Sequence, residues 1–118
     1  MNHRIAILSD IHGDTTALEA VIGDARAQGA TEYWLLGDIL LPGPGREDLF
    51  ELLDAIPITA AVRGNWDDCV LEALDGVYGL EDPQEIQLLR LTQYLMEGLD
   101  PKRIDWLRSL PLVEKKEV

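Results

Sequence analysis

The apolar positions of this chain fall into two repeating patterns. Ile5–Leu8 and Tyr33–Leu36 are short continuous apolar runs, the first with the mark of a strand buried on both faces, and Ile58–Val62, β-branched at Ile58, Thr59 and Val62, is a third strand. Each stops abruptly at polar or glycine residues: Ser9-Asp10, Gly37-Asp38 and Arg63-Gly64-Asn65. Between them the period changes to that of a helix. Leu18, Val21, Ile22 and Ala25 form one apolar stripe, with Asp14 placed to cap its start and Gly29 its end. Leu49, Leu52, Leu53 and Ile56 form a second stripe, closed by Pro57. The order strand–helix–strand–helix–strand predicts a βαβαβ unit, an α/β fold with a parallel sheet and flanking helices.

The remainder reads as helical. A short helix is expected over Asp67–Leu74, broken at Gly76–Gly79. Asp82-Pro83-Gln84-Glu85 has the form of a helix start, with a stop at Gly98, and Asp100-Pro101 opens another helix that ends before Pro111. Leu112–Val118 could begin a strand, although Glu114-Lys115-Lys116-Glu117 gives it no buried pattern.

Composition narrows the class. The 118 residues, 47% hydrophobic and 27% charged, suit a single globular domain spanning 1–118. Ten basic against twenty-two acidic residues give a net charge of −12, which argues against a nucleic-acid backbone or an anionic membrane as partner. An anionic substrate would need a local positive centre, and a metal ion supplies one. The single cysteine, Cys69, the absence of a basic-then-apolar leader and the absence of a long apolar run lead us to expect a soluble cytoplasmic protein.

The candidate chemistry lies at the three strand ends. Asp10 and His12 are one residue apart, so in extended backbone their side chains leave on the same side, a carboxylate and an imidazole suited to a divalent transition metal. Asp10, Asp38 and Asn65 follow one another at 28 and 27 residues, close to one βαβ repeat of about 30. A parallel sheet therefore gathers them at its carboxyl edge, where open α/β sheets bind ligands. Blander readings compete: Gly-Asp and Gly-Asn also make turns, Asp14 and Asp67 suit helix caps, His3 suits a solvated tail, and Arg63 could pair with a nearby carboxylate instead of a phosphate. Trp34 and Trp106 are expected in the core. Trp66 could pack or line a substrate mouth. The Glu47, Asp48, Glu51 and Asp54 face is expected to meet solvent.

Taken together, Ser9-Asp10-Ile11-His12-Gly13, Gly37-Asp38 with Gly43-Pro44, and Arg63-Gly64-Asn65-Trp66-Asp67 resemble the calcineurin-like metallophosphoesterase superfamily, and its small bacterial branch in particular. The resemblance implies the N-terminal half of an α/β/β/α sandwich with a dinuclear metal site. It implies that Asp10 and His12 bind one metal, that Asp38 bridges two, and that Asn65 binds the second. Asn65 and Arg63 are the candidate substrate contacts, Arg63 on the chemistry of its guanidinium and not from the resemblance. The ions would be Mn, Fe, Zn or Ni, the substrate a small phosphate mono- or diester, and Gly43-Pro44 a loop over the site. Two cations about 3.5–4 Å apart can bind a phosphate and activate a water for in-line displacement.

The chain also departs from that pattern. It has two histidines in all, His3 and His12, and none after Asn65, where the family carries Gly-His and Gly-His-x-His blocks. Trp66 stands where many members have a histidine. The expectation is the N-terminal half of a phosphoesterase: a truncated gene, a fragment, or a chain needing a second polypeptide to supply the missing ligands. The alternative is a non-catalytic remnant that folds and acts by association, including self-association. A nucleotide-binding α/β domain ranks last, because Gly13 stands alone where a glycine-rich phosphate loop would be.

Overall fold

A computed structural model describes residues 3–41, 43–76, 83–97 and 99–116. Eight elements follow in order: β1 (Ile5–Leu8), α1 (Thr15–Ala27), β2 (Glu32–Leu35), α2 (Glu47–Asp54), β3 (Ile58–Ala61), α3 (Asn65–Leu74), α4 (Pro83–Met96) and α5 (Pro101–Ser109). The three strands form a parallel sheet in the order β1-β2-β3, with Ile7 opposite Trp34 and Trp34 opposite Ala60. The α/β class and the βαβαβ unit therefore stand as expected. The Asp82 cap, the Gly79 end of the break and the Gly98 stop lie outside the described residues.

Local chemistry explains the boundaries. Asp14 caps α1 by accepting the amide of Ala17 at 3.0 Å, and Gly29, with φ of +81°, turns the chain after it. Asp100 caps α5 by accepting the amide of Lys102 at 3.0 Å, with Pro101 in the first helical turn. α3 starts two residues earlier than the apolar pattern indicates, because Asp67 at its third position reaches back to the amide of Gly64 at 2.9 Å and stabilises an additional turn.

Both crossover helices cover the same face of the sheet. Leu18 and Ile22 of α1 and Leu49, Phe50 and Leu53 of α2 share one buried cluster with Leu8, Tyr33 and Leu35. Strands added successively in one direction by crossovers of one hand leave this result. The opposite face is not covered as the apolar run suggests. Ile7 is 56% exposed, and Trp34 is half-buried, its indole N–H donating to Thr59 Oγ1 at 3.1 Å. The expectation that β1 is buried on both faces is thus corrected for one of them, and Trp34 sits at that open face. Trp106 is half-buried too, set edge-on to Phe50 with ring centroids 6.0 Å apart.

After α5 no strand forms among the described residues. The Pro111 carbonyl accepts the amide of Arg63 at 2.9 Å, and the Glu114 carboxylate accepts the amide of Ala61 at 3.3 Å. This segment thus runs beside β3, held partly through a side chain. The acidic face of α2 does not simply meet solvent: Asp54 and Glu47 both pair with Arg103 of α5. No helix among the described residues is long and apolar enough to cross a membrane.

Candidate metal centre

The loops after β1 and β2 interlock through their backbones. The amides of His12 and Gly13 donate to the carbonyls of Asp38 and Ile39, both at 2.8 Å. The amides of Gly43 and Gly45 donate in turn to the carbonyls of His12 and Gly13, both at 2.7 Å. Such contact leaves no room for a side chain. A Cβ on Gly43 would lie 2.5 Å from the His12 carbonyl oxygen, and one on Gly64 would lie 2.4 Å from Asp38 Oδ1. The Gly43 segment thus shapes the site by bonding directly to the loop that carries His12.

These loops hold Asp10, His12 and Asp38 together. Each offers a donor atom, and the three atoms lie within 4.8 Å of one another. The convergence does not come from extended backbone. Asp10, His12 and Asp38 have φ of 57°, 51° and 54°, in the left-handed region that non-glycine residues rarely occupy. Apart from Leu41, with φ of 57°, they are the only non-glycine residues found there among the described residues. Asp and His tolerate this conformation better than most side chains, and the interlocked loops enforce it.

His12 is held in one ring orientation. Its Nδ1 lies 2.8 Å from the Leu41 carbonyl oxygen. A carbonyl can only accept, so Nδ1–H donates to it and Nε2 is the ring nitrogen left facing the site. Nε2 lies 3.2 Å from Asp10 Oδ1. Locking one ring nitrogen on a backbone carbonyl while the other faces a carboxylate is how metal-binding histidines are oriented. The Trp66 ring stands edge-on to the imidazole, 5.9 Å between centroids, so Trp66 borders the site.

Asp38 is fixed from three sides. Its amide donates to Asp67 Oδ2 at 2.8 Å, its carbonyl accepts the amide of His12, and its Oδ1 accepts the amide of Trp66 at 2.9 Å. That last amide belongs to the first turn of α3, whose partial positive charge favours a carboxylate. Asn65 is the first residue of α3 and is exposed; Gly64 and Trp66 on either side of it both approach the Asp38 carboxylate.

The sequence assigns Asp67 to a helix cap, and its reach in the structure is larger. It is fully buried and accepts three backbone amides: Gly64 at 2.9 Å, Asp38 at 2.8 Å and Ile39 at 2.9 Å. Burial pushes its carboxyl above the ordinary range, although the three amides pull the other way. The Asn-x-Asp spacing signals the local cap, but nothing in the sequence signals the bonds to Asp38 and Ile39, 29 and 28 residues away.

Arg63 is engaged elsewhere. Its Nε lies 2.9 Å from Asp68 Oδ1, and its Nη1 donates to the Arg108 carbonyl at 3.2 Å. The carboxylate pairing is therefore the one present. His3 is exposed, 3.7 Å from Glu32. A cleft of about 730 Å³ adjoins Asp10 and His12, walled by Ile7, Leu18, Val21 and Pro44. Another, of about 580 Å³, lies between β3 and α5 and holds no such donor cluster among the described residues.

The sequence pattern of the calcineurin-like phosphoesterases matches residues 3–117. The chain belongs to that family. It is 31% identical over 118 residues to an uncharacterized protein of Methanocaldococcus jannaschii, covering 97% of this chain and 44% of that one. It is 26% identical over 113 residues to a symmetrical bis(5'-nucleosyl)-tetraphosphatase of Serratia proteamaculans, covering 94% of this chain and 38% of that one. Its fold is similar to the crystal structure of a metallophosphoesterase from Sphaerobacter thermophilus, with a TM-score of 0.67 and 32% identity over 94% of this chain and 42% of that one. This chain thus spans less than half the length of these relatives.

Proposed function

We propose that this chain supplies the metal-binding strand-end loops of a phosphoesterase that hydrolyses a phosphate mono- or diester. The observation that carries the reading is the cluster of Asp10, His12 and Asp38 donors on interlocked left-handed loops, in a chain of this family. The donor set fits a divalent transition ion. Ligands bonded at about 2.1 Å stand up to about 4 Å apart, so small side-chain adjustments bring the three onto one ion. Asn65, next to Asp38 at the start of α3, is the proposed amide-oxygen ligand of a second ion. Asp38 would bridge, since its Oδ1 is already oriented by the Trp66 amide. Bound there, the ions supply Lewis acidity toward the phosphoryl group and acidify a water.

The chain's own residues hold the geometry. His12 presents Nε2 because Leu41 occupies Nδ1. Asp67 holds the Asp38 backbone, and Trp66 shields one side of the imidazole. Arg63 acts here as a brace between α3 and α5, and contacts phosphate only if Asp68 releases it. Manganese, iron, zinc and nickel all suit this ligand set, and the cytoplasm is the proposed compartment.

The test is metal content and calorimetric titration with Mn²⁺, together with turnover of an aryl phosphate, for the parent and Asp38→Asn. Metal uptake lost in Asp38→Asn supports the reading. Absence of metal and turnover in both sinks it. A second reading, a non-catalytic chain acting by association, is favoured by this sequence holding no histidine after His12. Metal uptake without turnover supports that one.

A further inference from the structure

The cleft of about 730 Å³ beside Asp10 and His12 is polar where it meets those donors and apolar along the rest. Its volume is that of a small-molecule site, and such sites are mostly apolar with a few placed polar groups. One wall is a side of α1. Asp14, Leu18 and Val21 follow one another at four and three residues and so stand in a row, and seven residues of helix carry that row about 10 Å from Asp14. Ile7 and Pro44 line it as well, and Ile7 and Val21 are 56% and 45% exposed. The polar groups at the donor end are already engaged. Ser9 Oγ donates to Asp10 Oδ2 at 3.0 Å, Asp14 Oδ1 accepts the Ala17 amide at 3.0 Å, and His12 Nδ1 faces the Leu41 carbonyl. No lysine or arginine is among the described residues that line the cleft. A hydroxyl-rich group or a second anion therefore finds few partners there, whereas an apolar group finds a wall.

From this we infer that the cleft selects the organic group of the substrate: an uncharged apolar group lies along Leu18 and Val21 while the phosphoryl group lies at the Asp10, His12 and Asp38 donors. This rests on the proposed phosphoesterase reading and deepens it by naming the substrate class, phosphate esters of apolar alcohols or phenols. Leu18 is 3% exposed and belongs to the core, so it forms the floor of the cleft. Val21 lies outside the buried cluster and outside the residues packed against it. It is therefore the specificity-determining residue, and its substitution changes the cleft without disturbing the core.

The test measures calorimetric binding of non-hydrolysable phosphonates to the Mn²⁺-loaded chain: phenylphosphonate, hydroxyethylphosphonate and carboxyphenylphosphonate. Phenylphosphonate should bind about tenfold or more tighter than either of the others, the scale on which apolar walls discriminate. Val21→Ser should remove most of that preference with Mn²⁺ affinity unchanged, and Tyr94→Ser, at an exposed position of α4 outside the cleft, should keep it. Equal binding of the three phosphonates, or a preference that Val21→Ser leaves intact, overturns the inference. Titration of the chain with phenol in EDTA, followed by NMR, separates it from the proposed function. Shifts of the Leu18 and Val21 methyls there, without Mn²⁺ uptake, support the apolar cleft and count against the proposed function alone. Mn²⁺ uptake with no methyl shift and no phosphonate preference sinks the inference alone. If those methyls shift when the chain by itself is diluted, a second copy fills the cleft and the inference is likewise overturned.

Discussion

Asp67 Oδ2 lies 2.8 Å from the backbone nitrogen of Asp38, so a buried carboxylate on α3 holds the loop that follows β2. The same side chain accepts the amides of Ile39 and Gly64. Asp67→Ala leaves three amides in or near the core without a partner. Each such loss costs roughly 1–3 kcal/mol, partly relieved by water, so about 3 kcal/mol of stability should go. Urea denaturation monitored by circular dichroism measures it. Asp67→Asn, which keeps one acceptor oxygen, should lose less. A midpoint unchanged in Asp67→Ala would contradict this account.

Gly64 has ordinary backbone angles, and its requirement is space. Its Cα faces the Asp38 carboxylate, and an added methyl would stand 2.4 Å from Oδ1. Gly64→Ala should therefore displace Asp38 and reduce Mn²⁺ affinity by about tenfold or more, the scale expected when a ligand's support is disturbed. Gly23 in α1 has nothing within 4 Å of the equivalent position, and Gly23→Ala should leave affinity unchanged. Calorimetric titration of the two variants side by side is the measurement; equal affinities would refute the steric explanation.

His12 is only part-buried, and its imidazole serves the site more than the core. His12→Ala should weaken Mn²⁺ binding by about a hundredfold while leaving the denaturation midpoint within about 1 kcal/mol of the parent. A variant that loses stability as severely as Asp67→Ala would assign His12 to the fold.

The Arg103 guanidinium grips both oxygens of Asp54, at 2.9 and 2.7 Å, and holds that carboxyl below its ordinary value of 3.8. A carboxyl depressed in the folded state favours folding above its unfolded value, and that contribution is lost as the pH falls through and below 3.8. The pair is largely solvated, so its worth at neutral pH is below about 1 kcal/mol. Asp54→Asn should therefore lower stability slightly at pH 7 and flatten the acid limb of the stability curve near pH 3.8 and below. Thermal melts across that range read both effects, and a parallel acid limb in the variant would rule the pair out as a contributor.

The fold was legible where one side chain pattern decides one element. The β1 boundaries, the Asp14 and Asp100 caps and the gathering of Asp10 and Asp38 follow from local chemistry and strand spacing. What escaped depends on partners distant in sequence. The exposure of Ile7 follows from which face the crossover helices take, and an apolar run of four residues cannot report that. Phe50 lies outside the i, i+3, i+4 stripe of α2 yet is buried, because α5 brings Trp106 and Arg103 over it. The role of Asp67 was half visible, since its local bond has a sequence signature and its bonds across the molecule have none.

The left-handed backbone at Asp10, His12 and Asp38 restricts the site's vocabulary twice over. A residue there must present a donor atom and also tolerate a turn that most side chains resist. Asparagine satisfies the second demand without the charge of the first, so Asp→Asn exchanges interrogate the chemistry alone. A β-branched replacement fails the turn before its chemistry is ever asked. Transplanting this site into another scaffold is consequently a problem of copying a path of the main chain, with the three side chains following from it.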